Sequence, residues 1–295
     1  MSNSIFGISI ALLSTLFWAL CTVLLKKLGE KLDAIGMTLV KAVIASLLLF
    51  LIIVLTGTTL NIGLNNIIPI ALSGILGIAI GDSLFFASLN RLSPLFLSLL
   101  VFVAPDIFSG VFGFIFLKEI PSIISFVGIV LVLVGLSFLI FPIKKENSEV
   151  KTKITGIIFA ILSLACTAYS MVIIKPILVD VPVITATMYR MIFSAVILLF
   201  FGLFTKKIFL WKNTLNNKKY NIQLIGTFAL ATIGGFWLSL VAIKYCKLII
   251  ASSLMSLEPL FILIFMILFS RYIPKIKEII GILIIVFGIV FVCLG

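Results

Sequence analysis

The sequence predicts an all-α integral membrane fold of ten transmembrane helices, arranged as two inverted five-helix repeats. Three observations predict it: a strongly apolar composition, ten apolar segments of spanning length, and a match between the two halves of the chain. Hydrophobic residues make up 63% of the chain, charged residues make up 11%, and the mean hydropathy is +1.40. Soluble domains carry about 25% charged residues, so this chain lacks the polar surface that would cover a globule in water.

The apolar segments have the length of membrane-spanning helices, because about 20 residues cross the hydrocarbon core. In the first half they run from Ile5 to Leu25, Ile35 to Leu55, Ile67 to Leu89, Pro94 to Leu117 and Ile120 to Phe141. In the second half they run from Thr155 to Ile174, Pro182 to Phe204, Ile222 to Ala242, Ile249 to Phe269 and Ile276 to Leu294. Transmembrane strands are excluded, since the segments are too long and do not alternate polar with apolar residues. We expect the first segment to be a retained helix, because its basic residues follow it.

The two halves of the chain match each other. Residues 7–56 align with residues 156–205 without a gap, and twelve aligned positions are identical. We therefore predict a first five-helix repeat over 1–143, a polar connector over 144–153 and a second repeat over 154–295. Each repeat has an odd number of helices, so the second copy must enter the membrane from the opposite side, as in many transporters built from inverted repeats.

Composition and motifs also exclude several classes of function. The net charge of +12 comes from short basic runs between apolar segments, which is typical of topology signals and not of nucleic-acid binding. The chain has no histidine, and its four cysteines lie singly, so neither a metal site nor a disulfide framework is predicted. No P-loop or hydrolase motif is present. We expect no enzyme activity, no cofactor and no nucleic-acid partner.

Several short motifs recur in order in both halves. They are Ala87-Ser-Leu-Asn-Arg-Leu-Ser-Pro94, Val103-Ala-Pro105, Leu117-Lys-Glu119, Val241-Ala-Ile-Lys-Tyr245 and Ser256-Leu-Glu-Pro259, followed in each half by glycines at 128 and 135 or at 281 and 288. With these motifs the chain resembles the drug/metabolite transporter superfamily, specifically its EamA-type members. One position departs from that pattern, because Tyr272 stands where the second copy would repeat the acid of Glu119.

The resemblance implies a secondary transporter of small organic solutes. It also implies a cavity lined by the first four helices of each half, with the fifth helix of each half in a supporting role. Substrates of the family range over amino acids, nucleosides, sugars and cationic drugs.

Five ionisable residues fall inside the apolar segments, where a charge is costly unless it faces a cavity or a partner. They are Lys41, Asp82, Asp106, Arg190 and Glu258. Asp106 and Glu258 lie beside repeat-equivalent prolines, and a proline frees a backbone carbonyl one turn earlier in the helix. We interpret the two acids as candidate ligands or proton sites that face a shared cavity. The alternative is a buried salt bridge from either acid to Lys41 or Arg190.

The two basic residues and the remaining candidates also have competing interpretations. Lys41 and Arg190 are matched by the repeat, and either they bind a carboxylate or they snorkel to an interface. Asp82 follows a G-x-x-x-G spacing that explains close helix packing but not the carboxylate, so we assign Asp82 to the cavity. Trp18 and Trp237 are expected to stack against a substrate, with interfacial anchoring as the alternative.

The functional hypothesis is a secondary active transporter of a small polar metabolite, an amino acid or related zwitterion, that works as an exporter. With no histidine, a buried carboxylate is the candidate for proton coupling, and Asp82 and Glu258 lead. The alternatives are a multidrug or organic-cation exporter and a non-transporting membrane subunit. We expect a monomer or homodimer in the cell membrane, with a small-molecule substrate, the lipid bilayer and protons as partners.

The basic residues are unevenly distributed between the two sides of the predicted membrane. Sixteen of the 22 lysines and arginines lie in loops on the side opposite the N-terminus, and four lie on the N-terminal side. Lysine and arginine accumulate in cytoplasmic loops. The count therefore predicts that both termini lie outside the cytoplasm, although members of the family are usually drawn the other way.

Overall fold

A computed structural model of the chain describes residues 2–29, 31–92, 97, 122–140, 150–255, 257–270 and 276–294. Within these ranges the secondary structure is entirely helical. Six helical spans are long and apolar enough to cross a membrane: Ile5–Lys26, Ala34–Thr56, Leu64–Leu89, Ile154–Val179, Val183–Phe204 and Lys218–Tyr245. The predicted fourth segment, apart from Leu97, lies outside the described residues.

The helices follow the predicted segments with three differences. Their bounds in the first half are α1 Ser2–Leu28, α2 Ala34–Thr56, α3 Leu64–Gly74, π1 Ile75–Asp82, α4 Ser83–Leu89 and α5 Ile123–Ile140. In the second half they are α6 Val150–Ile174, α7 Val183–Phe204, α8 Lys207–Thr214, α9 Lys218–Leu230, π2 Ala231–Trp237, α10 Leu238–Tyr245, α11 Leu248–Met255, α12 Glu258–Ser270 and α13 Ile276–Leu294. A 3-10 turn, Lys175–Val179, extends α6.

The first difference is that the third and eighth predicted helices each contain a π-helical stretch. The stretches π1 and π2 continue α3 into α4 and α9 into α10 without a break in the chain of helical residues. Gly81 in π1 and Gly235 in π2 are equivalent in the sequence repeat. A π-helix widens the helical turn and occurs often at functional sites. Its appearance in both copies therefore makes the region around π1 and π2 a candidate functional site.

The second difference concerns the ninth predicted helix, Ile249 to Phe269, which is interrupted. It forms α11 and α12, which are joined through Leu257. Pro259 therefore lies in the first turn of α12, where its missing N–H breaks no intrahelical hydrogen bond. The prediction of one continuous segment from Ile249 to Phe269 is wrong in this respect, and the interruption lies directly before Glu258 and Pro259.

The third difference lies in the polar segments between helices. Helix α6 begins at Val150, so the last residues of the predicted connector 144–153 are helical. Helix α8 forms in a loop that the sequence marked only as polar. Trp211 of α8 is buried, and its indole Nε1 donates to Asp33 Oδ1 at 2.6 Å, which joins α8 to the start of α2.

The fifth helices of the two halves, α5 and α13, pack against each other along their length. A Cβ atom at Gly135 would lie 2.6 Å from the carbonyl oxygen of Gly281 and 2.8 Å from the amide nitrogen of Ile285. Only glycine permits this approach of the two backbones. Gly135 therefore allows the two fifth helices to pack closely.

The ends of several helices meet on one side of the bundle, which we call the basic face. Lys26 Nζ donates to the carbonyl of Leu92 at 2.9 Å, and Tyr220 Oη donates to the carbonyl of Leu28 at 2.8 Å. The Lys207 ammonium lies 3.1 Å from Asp33 Oδ2. The basic loops after α1 and after α7 therefore lie on the same side, as the charge count assumed.

Candidate functional site

Two hydrogen bonds cross between the halves at equivalent positions. Ser14 Oγ in α1 donates to the carbonyl of Gly235 in π2 at 3.0 Å. Ser163 Oγ in α6 donates to the carbonyl of Gly81 in π1 at 2.7 Å. Both serines are matched by the sequence repeat, as are both glycines. The first helix of each half is thus fixed to the π-helix of the other half.

The same two glycines let a side chain of the crossing helix approach each π-helix closely. A Cβ at Gly81 would lie 3.0 Å from Thr167 Oγ1, and a Cβ at Gly235 would lie 2.9 Å from the Trp18 ring. Thr167 and Trp18 are equivalent in the repeat. We call these contacts the polar crossing (α6 on π1) and the aromatic crossing (α1 on π2).

Lys41 and Asp82 form an ion pair beside the polar crossing. Lys41 projects from α2 and Asp82 is the last residue of π1. The Lys41 side chain is 1% exposed, and its Nζ lies 4.1 Å from the centroid of the Phe236 ring in π2. A cation over an aromatic face is stabilised by the ring quadrupole. Lys41 therefore bridges the two π-helices, and its interpretation as a snorkelling residue is wrong.

Arg190 is the largest fully buried side chain among the described residues, which rules out snorkelling here too. Its Nη2 donates to Ser170 Oγ at 2.8 Å, and Ser170 Oγ in turn donates to the carbonyl of Ser73 at 2.8 Å. Gly74 and Gly77 leave room for the arginine, since a Cβ at Gly77 would lie 3.2 Å from Nη2. Within the described part of the chain, Nε and Nη1 have no hydrogen-bond partner.

Glu258 begins α12 and is 6% exposed. Its Oε1 accepts a hydrogen bond from Thr22 Oγ1 in α1 at 2.8 Å. No ion pair joins Glu258 to Lys41 or Arg190 in the described ranges, so that alternative is wrong for this acid. Asp106, the other acid of the predicted pair, lies outside the described residues, and the shared cavity of the two acids stays a prediction.

The two predicted tryptophans both pack against the apolar cluster that contains Phe236. Trp18 packs edge-on against the Phe236 ring with the centroids 4.6 Å apart. Trp237 is half-buried and packs against the apolar cluster that contains Phe236, Met188 and Met191. Both tryptophans therefore contact the interior of the protein, beside the aromatic crossing.

Sequence reasoning missed three residues that hold these groups. Ser170 and Thr22 carry no motif, and only their hydrogen bonds to Arg190 and Glu258 identify them. Phe236 had a usable signal, because the repeat aligns it with Asp82. No group of three or more His, Cys, Asp or Glu side chains that could hold a metal ion occurs among the residues that were described.

The apolar helices and the charged groups buried between two copies of one unit define a multi-pass membrane protein with a polar site in its interior. A family model described as the EamA-like transporter family matches residues 5–141 and 154–294. The chain belongs to that family. It is therefore an integral membrane protein of the drug/metabolite transporter superfamily.

Solved structures support the fold. One crystal structure, described only as that of a protein, has a TM-score of 0.73 to this chain at 14% sequence identity. The alignment covers 100% of this chain and 98% of the other chain. Identity at this level shows a shared fold alone. Comparison with curated protein sequences found no match.

Proposed function

We propose that the chain is a secondary active transporter of a small polar metabolite, an amino acid or a related zwitterion, and that it exports this solute across the cell membrane. The single observation that carries the proposal is the cluster of Lys41, Asp82 and Arg190, buried where α2, π1 and α7 meet. Burying a charged side chain in the interior of a membrane costs about 2.5 kcal/mol or more of free energy. Binding of a polar solute by the cluster would explain why the protein tolerates this cost.

Two packings related by the repeat would move such a site between the two sides of the membrane. In support, the end of α1 and the start of α9 meet at the basic face through Leu28 and Tyr220. The start of α6 lies there too, since Ser88 Oγ near the end of α4 donates to the carbonyl of Gly156 at 2.8 Å. We therefore propose that 1–143 and 154–295 are inverted copies joined by the connector 144–153.

We further propose proton coupling through Asp82 or Glu258. Both are carboxylates enclosed by the bundle, and the chain has no histidine. Asp82 has a cation partner, whereas Glu258 has a neutral hydroxyl partner. A proton can bind Glu258 without breaking an ion pair of the described residues, which suits a coupling site.

The two alternative functions fit these contacts less well. An organic-cation exporter would be expected to present an unpaired acid at the charge cluster, and the acid of that cluster, Asp82, is already paired with Lys41. A non-transporting subunit would be expected to have all its buried charges paired. Arg190 has two unpartnered nitrogens among the described residues, which argues against that alternative.

The test of the proposal is transport by the purified chain in liposomes. Vesicles loaded with single amino acids are diluted into medium with the labelled solute, at matched and unmatched pH. We expect counterflow for at least one zwitterion and a dependence on the pH difference. The proposal would be overturned if only organic cations showed counterflow. It would also be overturned if no solute in a panel of amino acids, nucleosides and sugars did so.

Orientation in the membrane is tested separately. The basic face carries the lysine-rich loops after α1 and α7, so we propose that it is cytoplasmic and that both termini lie outside. A reporter that is active only in the cytoplasm should be silent after Gly295 and active when inserted between Lys212 and Lys218. The opposite pattern would reverse the orientation and leave the transport proposal intact.

A further inference from the structure

The guanidinium of Arg190 has donors for which the described residues provide no acceptor. One nitrogen, Nη2, is held by Ser170, while Nε and Nη1 are buried without a partner. An unmet donor on a buried charged group is costly, because the group has lost its water and gained nothing in return. A ligand that accepts from Nε and Nη1 would remove that cost.

The neighbourhood of Arg190 also has an excess of positive charge. Lys41 and Arg190 are both buried, and Asp82, the acid near them, is engaged by the Lys41 ammonium. The three groups together carry one net positive charge. A single anionic group would balance it, whereas a cation would add to it.

Resting on the proposed transport function, we infer that Arg190 binds a carboxylate of the transported solute. A carboxylate matches the planar fork of a guanidinium and accepts two parallel hydrogen bonds from it. Ser194, one helical turn beyond Arg190 on the same face of α7, is buried and its hydroxyl is also unpartnered within the described ranges. It offers a further donor to the same anion.

The residues beside Arg190 indicate what the carboxylate is attached to. In the charge cluster that contains Arg190, Lys41 Nζ lies 4.1 Å from the centroid of the Phe236 ring. Phe236 belongs to the apolar cluster that also contains Met191 and Trp18. The anionic group thus binds next to aromatic and aliphatic side chains. The substrate class is a carboxylic acid or zwitterion with an apolar body, and organic cations are excluded from it.

The test compares pairs of ligands that differ only in the carboxylate. Purified wild-type protein in detergent is titrated with leucine, phenylalanine and phenylpropionate, and with leucinamide, phenylalaninamide and phenylpropionamide, while thermal unfolding is followed. At least one acid should raise the midpoint of unfolding in a saturable way, and its amide should not. The inference is overturned if an amide stabilises the protein as strongly as its acid does. It is also overturned if no acid in the panel stabilises the protein.

Variants locate the site with the acid that binds wild type. Arg190→Gln should weaken binding at least about thirtyfold, as expected when one member of a buried charge pair is truncated. Arg190→Lys keeps the positive charge but loses the planar guanidinium, so its affinity should lie between that of wild type and that of Arg190→Gln. Arg91→Gln removes an exposed arginine whose Nη1 donates to the carbonyl of Ala87, and it should bind as wild type does. Unchanged binding by Arg190→Gln contradicts the inference.

The outcome is separable from that of the proposed function. If acids bind through Arg190 but no solute is moved in liposomes, Arg190 is a carboxylate-binding site and the transport proposal fails. If solutes are transported but their amides are bound and moved equally well, the transport proposal stands and the inference fails. Should Arg190→Gln not fold, the comparison of acids with amides on wild-type protein still decides.

Discussion

The polar crossing and the aromatic crossing share their backbone contacts and differ in their side chains. In each, a serine of the first helix of one half donates to a glycine carbonyl in the π-helix of the other half. At the polar crossing the neighbouring groups are Thr167 and the Asp82 carboxylate. At the aromatic crossing the equivalent positions are Trp18 and Phe236, which pack edge to face.

On the proposed function, the difference separates what the fold requires from what the binding of a solute would require. Close approach of helix backbones in a membrane needs glycine and small hydroxyl residues, so both copies keep them. The side chains that face the interior at the same level have no such constraint. One copy supplies charge and the other supplies aromatic surface, a combination that two identical crossings would not provide.

Loss of the carboxylate at the polar crossing should have the largest effect. Asp82→Asn leaves the Lys41 and Arg190 charges buried without an anion, and breaking a buried ion pair costs about 3–5 kcal/mol. We expect a lower unfolding midpoint and no transport, measured by thermal unfolding and by uptake into liposomes.

The control removes both charges of the ion pair. The double variant Asp82→Asn with Lys41→Met should regain much of the stability, since no unpaired lysine remains, but it should not regain transport. Transport restored by the double variant would mean that the pair acts only in folding. Transport that persists in Asp82→Asn alone would remove the functional distinction between the two crossings.

The next largest effect should come from the contact of the fifth helices, where the two copies remain alike. Gly135→Ala places a Cβ against the carbonyl of Gly281, and overpacking of this kind costs about 1–3 kcal/mol. Gly226→Ala is the matched control, because a Cβ there meets no atom within 4 Å. Thermal unfolding should separate the two variants. Equal midpoints would contradict the close packing of α5 on α13.

The two crossing serines give a smaller and more symmetric effect. Ser14→Ala and Ser163→Ala each remove one hydrogen bond to a glycine carbonyl, worth about 1 kcal/mol. We expect similar losses in unfolding midpoint for the two variants. Transport should fall more for Ser163→Ala, since Gly81 precedes Asp82. If only one variant is destabilised, the serine-to-glycine hydrogen bonds of the two crossings do not contribute equally to stability.

The smallest effect on stability is expected for Glu258→Gln, which retains an oxygen that can accept from Thr22. Thr22 lies one helical turn from Trp18 on α1, so Glu258, which accepts from Thr22, lies near the aromatic crossing. Substrate binding should remain measurable, while the dependence of transport on pH should flatten. Rates measured across a pH series in liposomes test this. A pH profile that matches wild type in both Glu258→Gln and Asp82→Asn would rule out carboxylate coupling in this chain.

Much of the architecture was predictable because hydrophobic length and the repeat are properties of whole segments. Among the described residues, six helical spans agree with the predicted segments, and Lys41 and Arg190 lie inside the bundle as one of the alternative interpretations required. The partners of the charges were not predictable. Spacing cannot tell whether Lys41 meets Asp82 or Glu258, since that depends on rotations of whole helices. The π-helices had no signal either, because their pattern of apolar residues resembles that of an α-helix.

The charge at the polar crossing has an electrical consequence. Lys41, Asp82 and Arg190 together carry one positive charge, which a bound carboxylate cancels. Moving one elementary charge across a membrane potential of 100 mV changes the free energy by about 2.3 kcal/mol. If the site changes sides during exchange and the solute has no charge besides its carboxylate, the loaded carrier crosses with no net charge and the empty carrier returns with one positive charge. With a zwitterion as solute, both steps carry one positive charge. A full cycle would then move one negative charge with an anionic solute and none with a zwitterion, so the membrane potential would drive the accumulation of the anion only, on the positive side of the membrane.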